Sequence, residues 1–135
     1  MTNRLKPGLL APLLLGILGA ISVAQAGQWS EVYASRSGLS YVDLSTVTHH
    51  KNLTQVMTMM SYDGPQIYSA KKTYQSTSTV MEFDCARGLV HAQGVVFYAG
   101  PLLAGDVVSK EGVISPMEPV PDGTPIEKIM RLVCD

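Results

Sequence analysis

Thr79-Val80-Met81-Glu82-Phe83-Asp84-Cys85 alternates in character from one residue to the next. At a period of two, Thr79, Met81, Phe83 and Cys85 fall on one face, and Val80, Glu82 and Asp84 fall on the other. The stretch therefore predicts a strand with a largely apolar face carrying a thiol and an acidic face turned to water. The other cysteine, Cys134, stands one residue from the end of the chain.

Cys134 belongs to a second, helical pattern. Thr124 is placed to cap a helix, Pro125 suits the first helical position, and Glu127 completes a capping box. Ile126, Ile129, Met130 and Val133 then recur at helical spacing, with Cys134 four residues after Met130 on the same side. The thiol of the strand and the thiol of the helix thus face the same layer. Before this helix, Pro116, Pro119, Pro121 and Pro125 each fix φ and bias the preceding residue away from helix, which makes an extended arm.

The remaining elements read as strands. Trp29 to Ala34 is a first strand, ended by Ser35-Arg36-Ser37-Gly38. Leu39 to Asp43 is a second, followed by turn chemistry at Asp43-Leu44-Ser45-Thr46 and a polar hairpin loop over Val47 to Asn52. Leu53 to Tyr62 predicts a long strand closed by Asp63-Gly64-Pro65. Ile67 to Gln75 is ambiguous: Tyr68, Ala70 and Tyr74 could line one face, while Lys71-Lys72 and the following Ser/Thr run suggest a ragged or exposed edge. After Ala86-Arg87-Gly88 a strand runs from Leu89 to Ala99, with Val90, Ala92, Gly94, Val96 and Tyr98 on one apolar face. This strand and the one ending at Cys85 are expected at the sheet's centre. Gly105 to Ser109 and Val113 to Ser115 could pair around Lys110-Glu111-Gly112. Connections this short exclude parallel crossovers. The fold class is therefore α+β, a single antiparallel sheet of about five or six strands with a C-terminal helix packed on one face.

Residues 1–26 read as a signal peptide. Arg4 and Lys6 precede an apolar run from Leu9 to Ile21, and Ala24-Gln25-Ala26 offers a small-residue cleavage site after Ala26. Gly8, Pro12, Gly16 and Gly19 interrupt the run and argue against a retained membrane span. The product is residues 27–135, one domain by size, exported to the periplasm, the cell surface or the medium. Removing Arg4 and Lys6 from the 10 basic residues leaves 8 against 11 acidic ones, a formal net charge of −3. That balance offers no electrostatic footprint for nucleic acid and no basic face for an anionic membrane. Two cysteines in an exported chain imply one disulfide, Cys85–Cys134, with no thiol left over.

The order and spacing of several short pieces resemble the surface-adhesin protein E family of small exported bacterial proteins. They begin with Trp29, Tyr41-Val42-Asp43 with Val47, and Ser61-Tyr62. Glu82-Phe83-Asp84-Cys85 is similar to the family's most distinctive motif. Tyr98-Ala99-Gly100, Gly105-Asp106-Val107-Val108, Pro121-Asp122-Gly123-Thr124 and a terminal helix ending in Cys134 follow. Met117 departs from the pattern, which commonly has Trp before the proline arm. The resemblance implies an antiparallel sheet, a C-terminal helix and the Cys85–Cys134 bridge, and attachment to host extracellular proteins.

Candidate chemistry is sparse. His49 and His50 are adjacent and His91 is distant, a poor ligand set for one metal ion. Met57 and Met59 share a strand face and could offer thioethers to Cu(I), although methionine more often fills cores. Glu82 and Asp84 lie about 7 Å apart along a strand, but their alternation is that of a solvated face. No Gly-x-Ser-x-Gly occurs, and Ser37-Gly38 belongs to a turn. Asn52-Leu53-Thr54 matches a glycosylation sequon, which bears only on a eukaryotic secretory pathway. Lys71 and Lys72 with Tyr68 and Tyr74 suggest an edge for strand addition, to a protein partner or a second copy of the chain. The reading is a non-enzymatic, adhesin-like binding domain with no cofactor and a protein partner of unassigned identity. The alternative is an envelope carrier of a small ligand or metal, such as copper or haem.

Overall fold

Short turns between alternating segments generate a meander. The computed structural model describes residues 27–112 and 115–135, with Gly8 as an isolated position. The expected signal peptide, residues 1–26, otherwise lies outside the described residues, as do Val113 and Ile114. Among the described residues one antiparallel sheet holds seven strands, rather than five or six. They are β1 (Trp29–Ser35), β2 (Gly38–His50), β3 (Leu53–Ser69), β4 (Lys72–Asp84), β5 (Leu89–Tyr98), β6 (Val107–Gly112) and the short β7 (Glu118–Pro119). Their spatial order is β1-β2-β3-β4-β5-β6, and β7 pairs with β5 beyond the end of the β6 ladder. The helix α1 (Pro125–Cys134) closes the chain. The sheet's centre is β3 and β4, one strand earlier than expected.

Strand β4 carries the decisive stretch. Phe83 is fully buried, and with Val42, Val56 and Val90 it forms the sheet's contribution to the core. Ile129 and Val133 supply the helix's contribution, with Met81, Ile126, Met130, Cys85 and Cys134 packed around them. Burying side chains of this size contributes about 1.5–3 kcal/mol each. The helix begins as its sequence predicts: the Glu127 backbone N–H donates to the Thr124 side chain. The Glu127 carboxylate accepts from the Gly123 N–H, one residue earlier than a capping box would place it. Cys85 and Cys134 are disulfide-bonded with their Cα atoms 5.6 Å apart, so strand and helix meet on the face both patterns predicted.

Several expectations yield to tertiary pairing. Strand β2 does not stop at Asp43; the register shifts between Asp43 and Thr48, and the turn chemistry becomes a bulge in which the Asp43 carboxylate accepts from the Ser45 N–H. His49 and His50 consequently lie in the strand, and only Lys51-Asn52 make the turn. Strand β3 likewise runs through Asp63-Gly64-Pro65 to Ser69, absorbing them as an irregularity between Ser61 and Gln66. Residues 67–75 are the far end of the central β3–β4 hairpin, paired with each other beyond the β2 and β5 ladders, which reach only Tyr62 and Ser76. Lys110-Glu111-Gly112 is part of β6, paired with Val96, Val95 and Gly94, not a turn.

A single extra residue splits the expected apolar face of β5. Val80 pairs with Gly94 but Met81 pairs with Ala92, which leaves Gln93 as a bulge. Val90 and Ala92 thus face the helix, while Gly94 and Val96 face the opposite side. Gly38 marks another close approach: its φ is +150°, and a Cβ there would lie 2.1 Å from the Ser61 carbonyl oxygen.

Candidate functional site

The sheet face away from the helix and the end of the β3–β4 hairpin hold the features that could meet another molecule. Beyond the irregularity at Ser61–Gln66, the hairpin is braced by aromatic rings. Tyr74 meets Tyr62 and Phe97 edge-on at centroid distances of 5.8 and 4.9 Å, and Tyr68 meets Phe97 at 5.1 Å. The Tyr68 hydroxyl also donates to the Glu111 carboxylate and lies 3.0 Å from Ser109 Oγ, both on β6. Burial, then the neighbouring Tyr74, raises the Tyr62 pKa above its usual phenolic value. Tyr68 and Tyr74 are therefore half-buried struts rather than the exposed rings expected from sequence. Ile67 points the other way and is 82% exposed, with Lys71 and Lys72 exposed at the turn beside it.

On the face away from the helix, Met57, Val80, Gly94 and Val96 floor an open groove of about 290 Å³, with Lys110 on its rim. Met57 and Met59 do share this face, but Met59 is buried, and Met60 on the opposite side accepts from the Ser40 hydroxyl. The loop that follows β5 is held to the sheet by two buried serines. Ser76 Oγ donates to the Gly100 carbonyl and accepts from the Leu103 N–H, while Ser61 Oγ accepts from the Leu102 N–H.

The acidic side of β4 departs most from expectation. Glu82 and Asp84 are each only 5% exposed, because β4 lies inside the sheet and its neighbours fold over both carboxylates. Glu82 accepts from Gln55 Nε2 at 2.7 Å, and its other oxygen lies 2.8 Å from His91 Nε2. Gln55 also donates to Gln93, and His91 Nδ1 lies 2.9 Å from the Ser115 carbonyl oxygen. Burial pushes the Glu82 pKa up, but hydrogen bonds from Gln55 and His91 and the His91 charge outweigh it, holding the carboxyl below its usual value. Asp84 accepts from the Arg87 side chain at 2.7 Å and from the Arg87 N–H, which hold its pKa down despite burial. The two carboxylates thus serve separate networks.

His49 accepts or donates at Thr54, at the opposite end of β2 from Gly38, and His91 is committed to Glu82 and Ser115. Among the described residues no group of three or more His, Cys, Asp or Glu side chains is placed to hold a metal ion, and no helix is long and apolar enough to cross a membrane. Sequence reasoning missed Ile67, since nothing local distinguishes an exposed isoleucine from a buried one. It also missed the Glu82–His91 pair, whose partners meet only across the β4–β5 ladder.

Known proteins place this architecture. Two solved structures of Haemophilus influenzae protein E share the fold. One, in crystal form II, superposes with a TM-score of 0.59 at 12% identity, over 70% of this chain and 79% of that one. The other superposes with a TM-score of 0.58 at 10% identity, over 78% and 83% respectively. No curated protein sequence matches the chain. The profile of the surface-adhesin protein E family matches residues 29–135, from the start of β1 to the last residue after the helix. The chain belongs to the surface-adhesin protein E family.

Proposed function

We propose that this protein is an exported adhesion domain that contacts extracellular proteins of a host through the end of its β3–β4 hairpin. Family membership supports the class of activity, and the observation that carries the location is Ile67. A branched apolar side chain 82% exposed, flanked by two lysines, sits on a hairpin already immobilised by four aromatic rings. Pre-organisation of this kind lowers the ordering cost of association. An apolar anchor rimmed by charge has the anatomy of a small protein-binding patch. In this reading residues 1–26 are removed on export by cleavage after Ala26, and the protein recovered from its cells has Gly27 at its N-terminus.

Immobilised extracellular-matrix proteins and envelope extracts, probed with the purified oxidised protein, test the proposal. Saturable binding to a matrix protein is expected, weakened about tenfold or more by Ile67→Asp, as for loss of an interface anchor. Unchanged binding by Ile67→Asp and by Lys71→Ala/Lys72→Ala would move the contact elsewhere, and no saturable partner in any arm would reject adhesion. The groove at Met57, Val80 and Val96 favours a second reading, carriage of a small apolar or metal-bearing ligand. Native mass spectrometry after exposure to Cu(I) or haem, showing only apo protein, would dismiss those ligands.

A further inference from the structure

We propose that His91, Glu82 and the Ser115 carbonyl form a proton-dependent clasp that holds the proline arm against β5 and releases it as pH rises. The arm leaves β6 after Gly112, which pairs with Gly94, and rejoins β5 as β7, where Glu118 pairs with Val90. His91 occupies the interval between those two ladders, so its side chain holds what the backbone does not. Nδ1 lies 2.9 Å from the Ser115 oxygen and Nε2 2.8 Å from Glu82 Oε1.

The chemistry of the partners dictates the proton count. A carbonyl oxygen only accepts, and an ionised carboxylate only accepts. Both ring nitrogens must therefore donate, and the ring is an imidazolium. Its hydrogen bond to Glu82, then that to the Ser115 carbonyl, outweigh burial and hold the His91 pKa above 6.5. Among the described residues Glu82 is the one charged group hydrogen-bonded to the ring. Strand β3 presents the uncharged Gln55, β5 the uncharged Gln93, and the arm its carbonyl. Asp84 is occupied by Arg87, and Glu118 is exposed.

Loss of one proton leaves one N–H for two acceptors. The anionic Glu82 is the stronger acceptor, so the proton stays on Nε2. The Nδ1 lone pair then opposes the Ser115 oxygen, and one of the two must move. Glu82 is fixed in a central strand and by Gln55. Among the described residues the backbone of the arm is held by two-residue β7 and the Val120 N–H to Gly88 carbonyl bond, with Val120 packed against the core, so the arm on the Ser115 side of β7 moves. The disulfide keeps Cys134 on Cys85, which confines opening to residues between β6 and the helix.

The test is a pH titration of the 15N-labelled, disulfide-intact protein. Imidazole nitrogen shifts should show both His91 nitrogens protonated below 6.5, and Nδ1 should deprotonate first as pH rises. Exchange of the Ser115, Met117, Glu118 and Val120 amides, corrected for intrinsic base catalysis, should quicken about tenfold or more across that step, as for loss of one charge-assisted hydrogen bond. Exchange in β3 should not change. His91→Gln should remove the step, and Glu82→Gln should shift it to lower pH. A neutral imidazole below 6.5, or equal arm protection on both sides of the titration, would overturn the clasp. Both are read on the unmodified protein, so a variant that fails to fold does not shield it.

Discussion

Removing the Cys85–Cys134 bond measures how strongly the joint between β4 and the helix organises the domain. The bonded residues are 49 apart in sequence, and restricting an unfolded chain by a loop of that length is worth about 4 kcal/mol in the chain-entropy account. That is a large share of the roughly 5–15 kcal/mol by which such domains are stable. Without the bond, a 10-residue helix, too short to persist alone, is held by Ile129 and Val133 and their half-buried neighbours. Cys85→Ala/Cys134→Ala keeps small apolar groups at both positions, so packing loss adds little. Urea unfolding, followed by far-ultraviolet circular dichroism and by fluorescence of Trp29, the single tryptophan, is the assay. With a slope of about 1–2 kcal/mol per molar urea, the midpoint should fall by about 2–4 M, with both probes coincident. A fall of less than about 1 M with an unchanged slope would refute the reasoning, since the core alone would then be holding the helix.

Two further outcomes follow from the sheet. Gly38→Ala should destabilise by about 2–4 kcal/mol, the sum expected from backbone strain and overpacking, because the new Cβ meets the Ser61 carbonyl oxygen rather than a yielding side chain. An unchanged urea midpoint would show that β2 and β3 can separate locally at no cost. Acid should also destabilise the domain. Glu82 and Asp84 have folded pKa values below their ordinary 4.5 and 3.8, so their contribution is present above those values and is lost as pH falls through the lowered ones. The urea midpoint should decline below pH 4.5, and Glu82→Gln should flatten part of that decline; a flat midpoint down to pH 3 would contradict it. His91 has the opposite sign, with stability complete below 6.5 and lost as pH rises through its raised value.

Local chemistry made much of the architecture legible. The cap at Thr124, the helical stripe from Ile126 to Val133 and the alternation from Thr79 to Cys85 depend on residues within a turn or two of one another, while the pairing of the two cysteines, 49 residues apart, follows from their number alone. Short-range sterics and hydrogen bonding decide such features before distant strands meet. The candidate contact surface was less legible. Lys71, Lys72, Tyr68 and Tyr74 are marked by type, and Lys71-Lys72 with the following Ser/Thr run suggest an exposed edge, but Asp63-Gly64-Pro65 looks like a stop and hides the length of the strand before it. In the fold, pairing of β3 with β4 on the far side of that bulge carries the hairpin onward.

From its own order of residues the chain determined a helix, a set of strands and the covalent joint between two of them. Only the assembled sheet decided where strands end, which face each side chain takes and which charges are buried. The physical reason is register: the bulge at Gln93 turns the rest of β5 over, and Glu82 acquires Gln55 and His91 only because neighbouring ladders bring them level with it.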